Sequence, residues 1–375
     1  MNRSSVSPRS FCWALAGVLV TTACTSVLSP FDSVGHVRQF YSRQLSPQAA
    51  VELMVPFELD KTLSELIHRE LKMSPDEERR AEQVQEYIFN RLDLVYDLSP
   101  TRNAVETFRD RRGNCLSFTN LFVGIARELR LNPFYVEVTD YSRWNYRNGL
   151  VVSQGHIVAG MRVDGKLRTY DFLPYRPKAY KEFKPIDDFV AAAHHYNNLG
   201  AEALMAGNNE RALELVTIAT RIAPDFTKAI NNRGVCLARL GRFDEALAVY
   251  AQGLEYEPEN VAILTNLVRV HQELGNLDEA ERLIAKIDSE EQANPFFFIY
   301  QSDLALSQGR PERALELMKS ALARDTELPE VHLGLTRVYL ALGEVDKAKH
   351  HLARALKLDA TNREALELAE LLRDR

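Results

Sequence analysis

Three residues in the middle of the chain have the types, order and spacing of a nucleophilic centre: Cys115, His156 and Asp171. A thiol attacks as its thiolate, a neutral imidazole can take the proton, and a carboxylate can hold that imidazole in one tautomer. Cys115 follows Arg112-Gly113-Asn114 and precedes Phe118, Leu121, Phe122, Ile125 and Leu129, which fall in one stripe at helical spacing. Asn114 is the expected N-cap of that buried helix, which places Cys115 in its first turn. There the macrodipole and the free N–H groups favour a thiolate. Gly113 is expected to leave room for an approaching substrate, and Arg109, Arg111 and Arg112 to add positive potential.

The elements that position the other two residues follow from a turn. Asp164-Gly165 lies between the β-like runs 155–163 and 166–171, a strong signal for a two-residue hairpin. In that register Val163 faces Lys166 and His156 would face Leu173, leaving Asp171 two residues off that partner. His156 and Asp171 then share a face as diagonal neighbours, and a slip of one residue would separate them. Upstream, 59–71, 75–92 and 104–109 read as helices and 133–138 as a strand. Residues 139–154, containing Trp144 and Tyr146, read as a polar excursion.

This constellation resembles the transglutaminase-like superfamily: G-x-C opens a helix, a strand His follows about 40 residues on, and an Asp lies on the next strand. Gly113-Asn114-Cys115 with FVGIARELRLN at 122–132 fits the family's cysteine helix, and the resemblance covers roughly 55–185. Two positions depart from the family pattern. Val158 stands where an aromatic, commonly Trp, is usual, and Phe172-Leu173 stand where Pro or Thr often follows the Asp. The resemblance implies an α+β papain-like domain over 48–185 in which Cys115 attacks a carboxamide or peptide carbonyl to form a thioester. His156 would act as base and then acid, and Asp171 would orient it. The N–H of Cys115 is one expected oxyanion donor, with Trp144 and Asn114 as candidates for the second. Many bacterial members look like proteases or amidases, so hydrolysis is the leading expectation. Acyl transfer to an amine, and a vestigial domain on an assembly scaffold, are the alternatives.

The second half is periodic. Gly207, Gly241, Gly275, Gly309 and Gly343 recur every 34 residues, and Ala212, Ala246, Ala280, Ala314 and Ala348 follow each by five. That period is the signature of tetratricopeptide repeats, helix pairs that bury their apolar faces only by stacking into an all-α solenoid. Five repeats are expected over 193–360 and a capping helix over 361–375, with Leu366, Leu368, Leu371 and Leu372 turned inward. Asn198, Asn232 and Asn266 share one position in the first three repeats. In this family that position tends to face the concave groove, where amides can pair with an extended peptide from a protein partner. Cys236 is expected to be buried and inert, and the pairs His194-His195 and His350-His351 to lie on exposed faces.

The N-terminus reads as an address. Arg3 and Arg9 precede a short apolar run at 11–20, then Thr21-Thr22-Ala23 and Cys24. The run is half of what a spanning helix needs and suits a cleaved signal at 1–23. Cys24 after small residues resembles the lipobox of bacterial lipoproteins, although Thr21 stands where Leu is usual. That resemblance implies export and lipidation at Cys24, and Thr25 after it points to the outer membrane, facing the periplasm. Residues 24–47 read as a tether.

Composition excludes several classes. Hydrophobic residues make up 46% and charged residues 26%, so the chain is globular rather than disordered. A net charge of −6 without a basic run argues against a nucleic-acid partner. No Gly-rich phosphate loop, HExxH or CxxC motif occurs, so neither cofactor nor metal is expected.

Overall fold

The computed structural model describes residues 34–44, 53–71, 74–147, 150–163, 165–173, 180–288 and 294–372. The signal at 1–23 and Cys24 lie outside these residues. The tether expected over 24–47 needs correction, because Val34–Gln44 form a helix, α1. Its Val37 and Tyr41, four residues apart on one face, are fully buried. Tyr41 meets the Phe189 ring edge-on at 6.4 Å. An apolar stripe this narrow hides within a mixed composition.

Two helices follow, α2 (Lys61–Glu70) and α3 (Glu77–Glu86), whose first turns are capped by Asp60 and Asp76. A π-turn, Tyr87–Arg91, extends α3. A short strand β1 (Val95–Tyr96) leads to α4 (Ala104–Asp110), which begins with a capping box between Asn103 and Glu106. Strand β2 (Arg112–Gly113) pairs parallel with β1 and delivers the chain to α5 (Cys115–Glu128). Strands β3 (Phe134–Arg147), β4 (Leu150–Val163), β5 (Lys166–Tyr170) and β6 (Phe183–Ile186) form one sheet in the order β5-β4-β3-β6. All its pairings are antiparallel.

The hairpin has the expected register, Val163 opposite Lys166 and Ala159 opposite Tyr170, with Gly165 at φ 75°. The polar excursion is corrected. Both sides of 139–154 continue as paired strand, interrupted by a register shift between Val138 and Arg143. Main-chain pairing does not require apolar alternation, so a polar sequence concealed it.

Among the described residues eleven helices follow: α6 (Asp188–Met205), α7 (Asn209–Ile222), α8 (Thr227–Arg239), α9 (Phe243–Tyr256), α10 (Val261–Glu273), α11 (Leu277–Asp288), α12 (Pro295–Ser307), α13 (Pro311–Arg324), α14 (Pro329–Ala341), α15 (Val345–Leu358) and α16 (Arg363–Leu371). The first ten make five antiparallel pairs. The five periodic glycines all sit at the inter-helix turn with φ between 71° and 80°, where an L side chain would be strained. The five periodic alanines are buried, as stacking requires. At α16 the expected cap differs: Ala365 and Leu372 are buried, but Leu366 and Leu371 are exposed.

The largest core does not respect the boundary between the halves. It runs from Val37 through α5 and β4 to Phe189, Tyr196, Leu215 and Ala229, so the first repeat packs into the α+β domain. Polar latches cross the same seam. Arg127 binds Asp188 through two bonds of 2.6 and 2.8 Å, and the Tyr196 hydroxyl bridges the N–H and C=O of Met54. Lys228 pairs with Glu137.

Candidate active site

Helix α5 begins at Cys115 because Asn114 caps it. The Asn114 Oδ1 accepts from the N–H of Ser117 at 2.9 Å and from its hydroxyl at 3.0 Å. Phe122 stacks on Tyr170 at 4.8 Å and Phe118 meets Phe172 at 6.2 Å, fixing the helix against β5 and the residues after it. Gly113 has a role other than the expected one. A Cβ there would lie 2.5 Å from Ser117 Cβ, so the glycine makes room for the first turn of α5, not for substrate.

Strand β5 stops at Tyr170, which leaves β4 unpaired by it below Ala159. The start of α5 occupies that edge. The carbonyl of Ile157 accepts from Thr119 Oγ1 at 3.2 Å, and the Ile157 N–H donates to the Cys115 sulfur. Ile157, Ala159 and Met161 pack under the helix, whereas Val158 joins Phe134, Val136 and Val138 in a separate cluster. The helix therefore meets His156 along the strand edge rather than squarely over one sheet face.

The three expected residues come together. His156 Nε2 lies 2.9 Å from Asp171 Oδ1, and the imidazole is in hydrogen-bond contact with the Cys115 thiol. Since Nε2 is taken by Asp171, Nδ1 is the nitrogen left to face the sulfur. Asp171 is held by two further donors, the N–H of Leu173 at 3.1 Å and the Tyr180 hydroxyl at 2.9 Å. Tyr180 also sets its ring 5.5 Å from the imidazole, so an aromatic neighbour exists although Val158 is not one. His156 is buried, while Cys115 keeps partial access to the surface.

Burial opposes charge on all three groups, and their mutual contacts outweigh it. Burial would raise the Cys115 thiol, but His156 and the N–H groups of Ile157 and Leu116 hold it below the ordinary value. Burial would depress His156, but Asp171 and Cys115 raise it to about 9. Asp171 is lowered against its own burial by His156, Leu173 and Tyr180. These directions together favour a thiolate–imidazolium pair.

The arginines expected to assist have other partners. Arg109 pairs with Asp110 at 2.7 Å, Arg112 approaches Asp97 at 3.8 Å, and Arg111 lies over the Phe108 ring. The Asn114 amide is committed as well, donating to Thr101 Oγ1 at 2.8 Å, which removes it as the second oxyanion donor. The side chain of Trp144 lies outside the described residues. Sequence reasoning missed Tyr180, Thr119 and the Ile157 N–H. Tyr180 follows a segment with no motif, and the other contacts depend on where β5 ends.

Of the remaining expectations, Cys236 is buried and its thiol is pushed up to about 12 by that burial. His194 and His195 are buried, contrary to expectation, because α6 is covered on one side by its own repeat and on the other by the α+β domain. Burial takes them down to about 3 and 4. His350 is exposed, but His351 turns inward to His332, Nδ1 to Nδ1 at 3.1 Å. Asn198, Asn232 and Asn266 are half-buried in register. Two of them bridge repeats: Asn232 donates to Asn197, and Asn266 to Asn231, each at 2.8 Å. Among the described residues no cluster of three His, Cys, Asp or Glu could hold a metal, and no helix is long and apolar enough to cross a membrane.

A family model described as the transglutaminase-like superfamily matches residues 66–166, which include Cys115 and His156, with Asp171 just beyond. Tetratricopeptide models match 197–255, 237–295 and 305–372. The chain thus carries a transglutaminase-like α+β domain followed by a helical solenoid of tetratricopeptide repeats. It is 31% identical over 110 residues to tetratricopeptide repeat protein 8 of Caenorhabditis elegans, a match covering 29% of this chain and 22% of that one. It is 28% identical over 179 residues to cellulose synthase operon protein C of Pseudomonas fluorescens, covering 46% and 14%. The matches thus span less than a quarter of either relative's length. A solved structure of Pseudomonas aeruginosa pilF is 20% identical, with a TM-score of 0.41 over 48% of this chain and 83% of that one.

Proposed function

We propose that the protein is a cysteine peptidase or amidase of transglutaminase-like type whose repeat array recruits a protein substrate. The observation that carries this reading is the contact of Cys115 with an imidazole that is itself bonded to Asp171. The Cys115 thiolate would attack a carboxamide or peptide carbonyl carbon, forming a C–S bond. The His156 imidazolium would give its proton to the leaving nitrogen as the C–N bond breaks. Asp171 would hold the ring through both changes of charge. The N–H of Cys115, at the head of α5 where no preceding turn claims it, suits a developing oxyanion. Water, deprotonated by His156, would release the acid and restore the thiol. An amine taking the place of water would make the same thioester a cross-linking intermediate.

Labelling by a thiol-reactive probe at neutral pH, read on the Cys115 peptide, tests the nucleophile. Wild-type protein should label rapidly and His156→Ala slowly; equal rates would leave the chain an assembly scaffold working through its repeats.

The amides of Asn198, Asn232 and Asn266 would line the groove that takes an extended segment of the partner. Replacing all three by Ala should weaken partner capture without changing helical content, and unaffected capture would confine these amides to bridging repeats. Export and lipidation at Cys24 would hold the protein at the outer membrane facing the periplasm. Intact-mass analysis of membrane fractions should then find acylation that Cys24→Ser abolishes, and an unmodified soluble form would refute the anchor.

A further inference from the structure

A hydrogen-bond relay runs from the repeat array to the cap of the nucleophile's helix. On α6, Glu202 Oε1 accepts from the Thr101 N–H at 2.7 Å and from the Thr101 hydroxyl at 2.9 Å. Thr101 Oγ1 in turn accepts from Asn114 Nδ2 at 2.8 Å. Asn114 Oδ1 then receives the N–H and hydroxyl of Ser117 in the first turn of α5. The Ser117 hydroxyl also accepts from the Arg102 N–H at 2.8 Å, which closes the network on the residue after Thr101. Thr101, Asn114 and Ser117 are all buried, so water does not substitute for a missing partner.

The relay has a direction. A hydroxyl carries one proton, and Glu202 takes it, so Thr101 can only accept from Asn114. That forces the Asn114 nitrogen toward Thr101 and its oxygen toward the helix, the orientation an N-cap needs. Without the carboxylate, the Thr101 proton is free to turn to the amide, and the capping orientation is left to the Ser117 donors and the Leu98 carbonyl, 3.5 Å from Asn114 Nδ2. Cys115 and Leu116 lie inside the capped turn, and the Leu116 N–H is one of the groups that stabilise the Cys115 thiolate.

We propose that Glu202, a residue of the first repeat, is a positioning residue for Cys115, acting through Thr101 and Asn114. The inference rests on the cysteine-nucleophile reading above. Arg102 and Asp97 are the charged groups that act on the carboxylate, with opposite signs.

The test is the pH profile of Cys115 alkylation by iodoacetamide, read by mass spectrometry on the Cys115 peptide of the full chain. Glu202→Ala should move the midpoint upward by about half to one pH unit, the equivalent of one cap hydrogen bond. Glu202→Gln, which keeps an acceptor for both Thr101 donors, should retain the wild-type midpoint. Thr101→Val cuts the relay at its middle while leaving its N–H on Glu202, and should reproduce the Glu202→Ala shift. It also serves if Glu202→Ala fails to fold. A depressed wild-type midpoint left unchanged in the folded variants would overturn the relay alone. A wild-type midpoint at the ordinary thiol value would overturn the proposed function itself.

Discussion

At Cys115 the sulfur and the imidazole trade a proton within a pair whose two pKa values are pushed apart. The thiol is lowered and His156 is raised to about 9, so the ion pair persists between those limits. Alkylation of Cys115 should therefore begin below the ordinary thiol range of about 8.5. His156→Ala removes the compensating contact and leaves the burial, so the midpoint should move above that of a free thiol. A midpoint unchanged in this variant would mean that His156 does not set the reactivity. Asp171→Asn should lower the His156 pKa, because the hydrogen bond to that carboxylate is the largest single contact raising it. The upper limit of the ion-pair window then falls, and turnover drops by about three to four orders of magnitude, as a mis-set tautomer implies. Retained turnover in a folded Asp171→Asn protein would exclude the orienting role.

Helix α6 carries a different consequence of burial. His194 and His195 are neutral in the fold, at about 3 and 4, and protonate in the unfolded chain near 6.5. Their folded values are depressed, so stability is level above 6.5 and falls as pH drops below it, by up to about 1.4 kcal/mol per unit for each. Glu137, Lys228 and Lys184 are the charged groups acting on His194. Replacing both histidines by Asn should reduce the pH dependence of the unfolding midpoint between 6.5 and 5, above the carboxylate range, leaving the share of His351, which is also lowered to about 4. An undiminished slope would assign the acid sensitivity elsewhere. These histidines were misread for a physical reason. In a repeat array considered alone, that side of the first helix faces solvent, and periodicity carries no information about a second domain covering it. The hairpin was readable because Asp164-Gly165 sets a register and the register sets a face, which placed His156 beside Asp171 before any coordinates. Tyr180 and the Ile157 N–H were not, since they depend on β5 ending at Tyr170 and on how the chain returns from it. The tether failed at Val37 and Tyr41, whose burial packs a short helix against the core, with Arg38 bonding Glu58 beside them.

Across the whole molecule, the seam at Arg127 and Asp188 is an ion pair with Asp188 fully enclosed and Arg127 half-buried. Arg127→Ala strands that carboxylate and should cost about 3–5 kcal/mol in urea unfolding. A loss below 1 kcal/mol would mean that Asp188 finds another partner or rehydrates. A chain cut after residue 187 loses the apolar surface supplied by Phe189, Tyr196, Leu215 and Ala229. It should aggregate, whereas one cut after α9 should unfold cooperatively; a soluble, cooperative shorter fragment would make the seam dispensable. The seam also bears on how the array can change in length. A solenoid needs a terminal unit with one face that does not invite further stacking. At one end α16 takes that part, and at the other the α+β domain itself lies against the first repeat. The enzyme-like half thus serves as the solenoid's end-stop. Repeats gained or lost toward α16 would lie far along the array from Cys115, whereas the first repeat is tied through Glu202 and Thr101 to the cap of its helix.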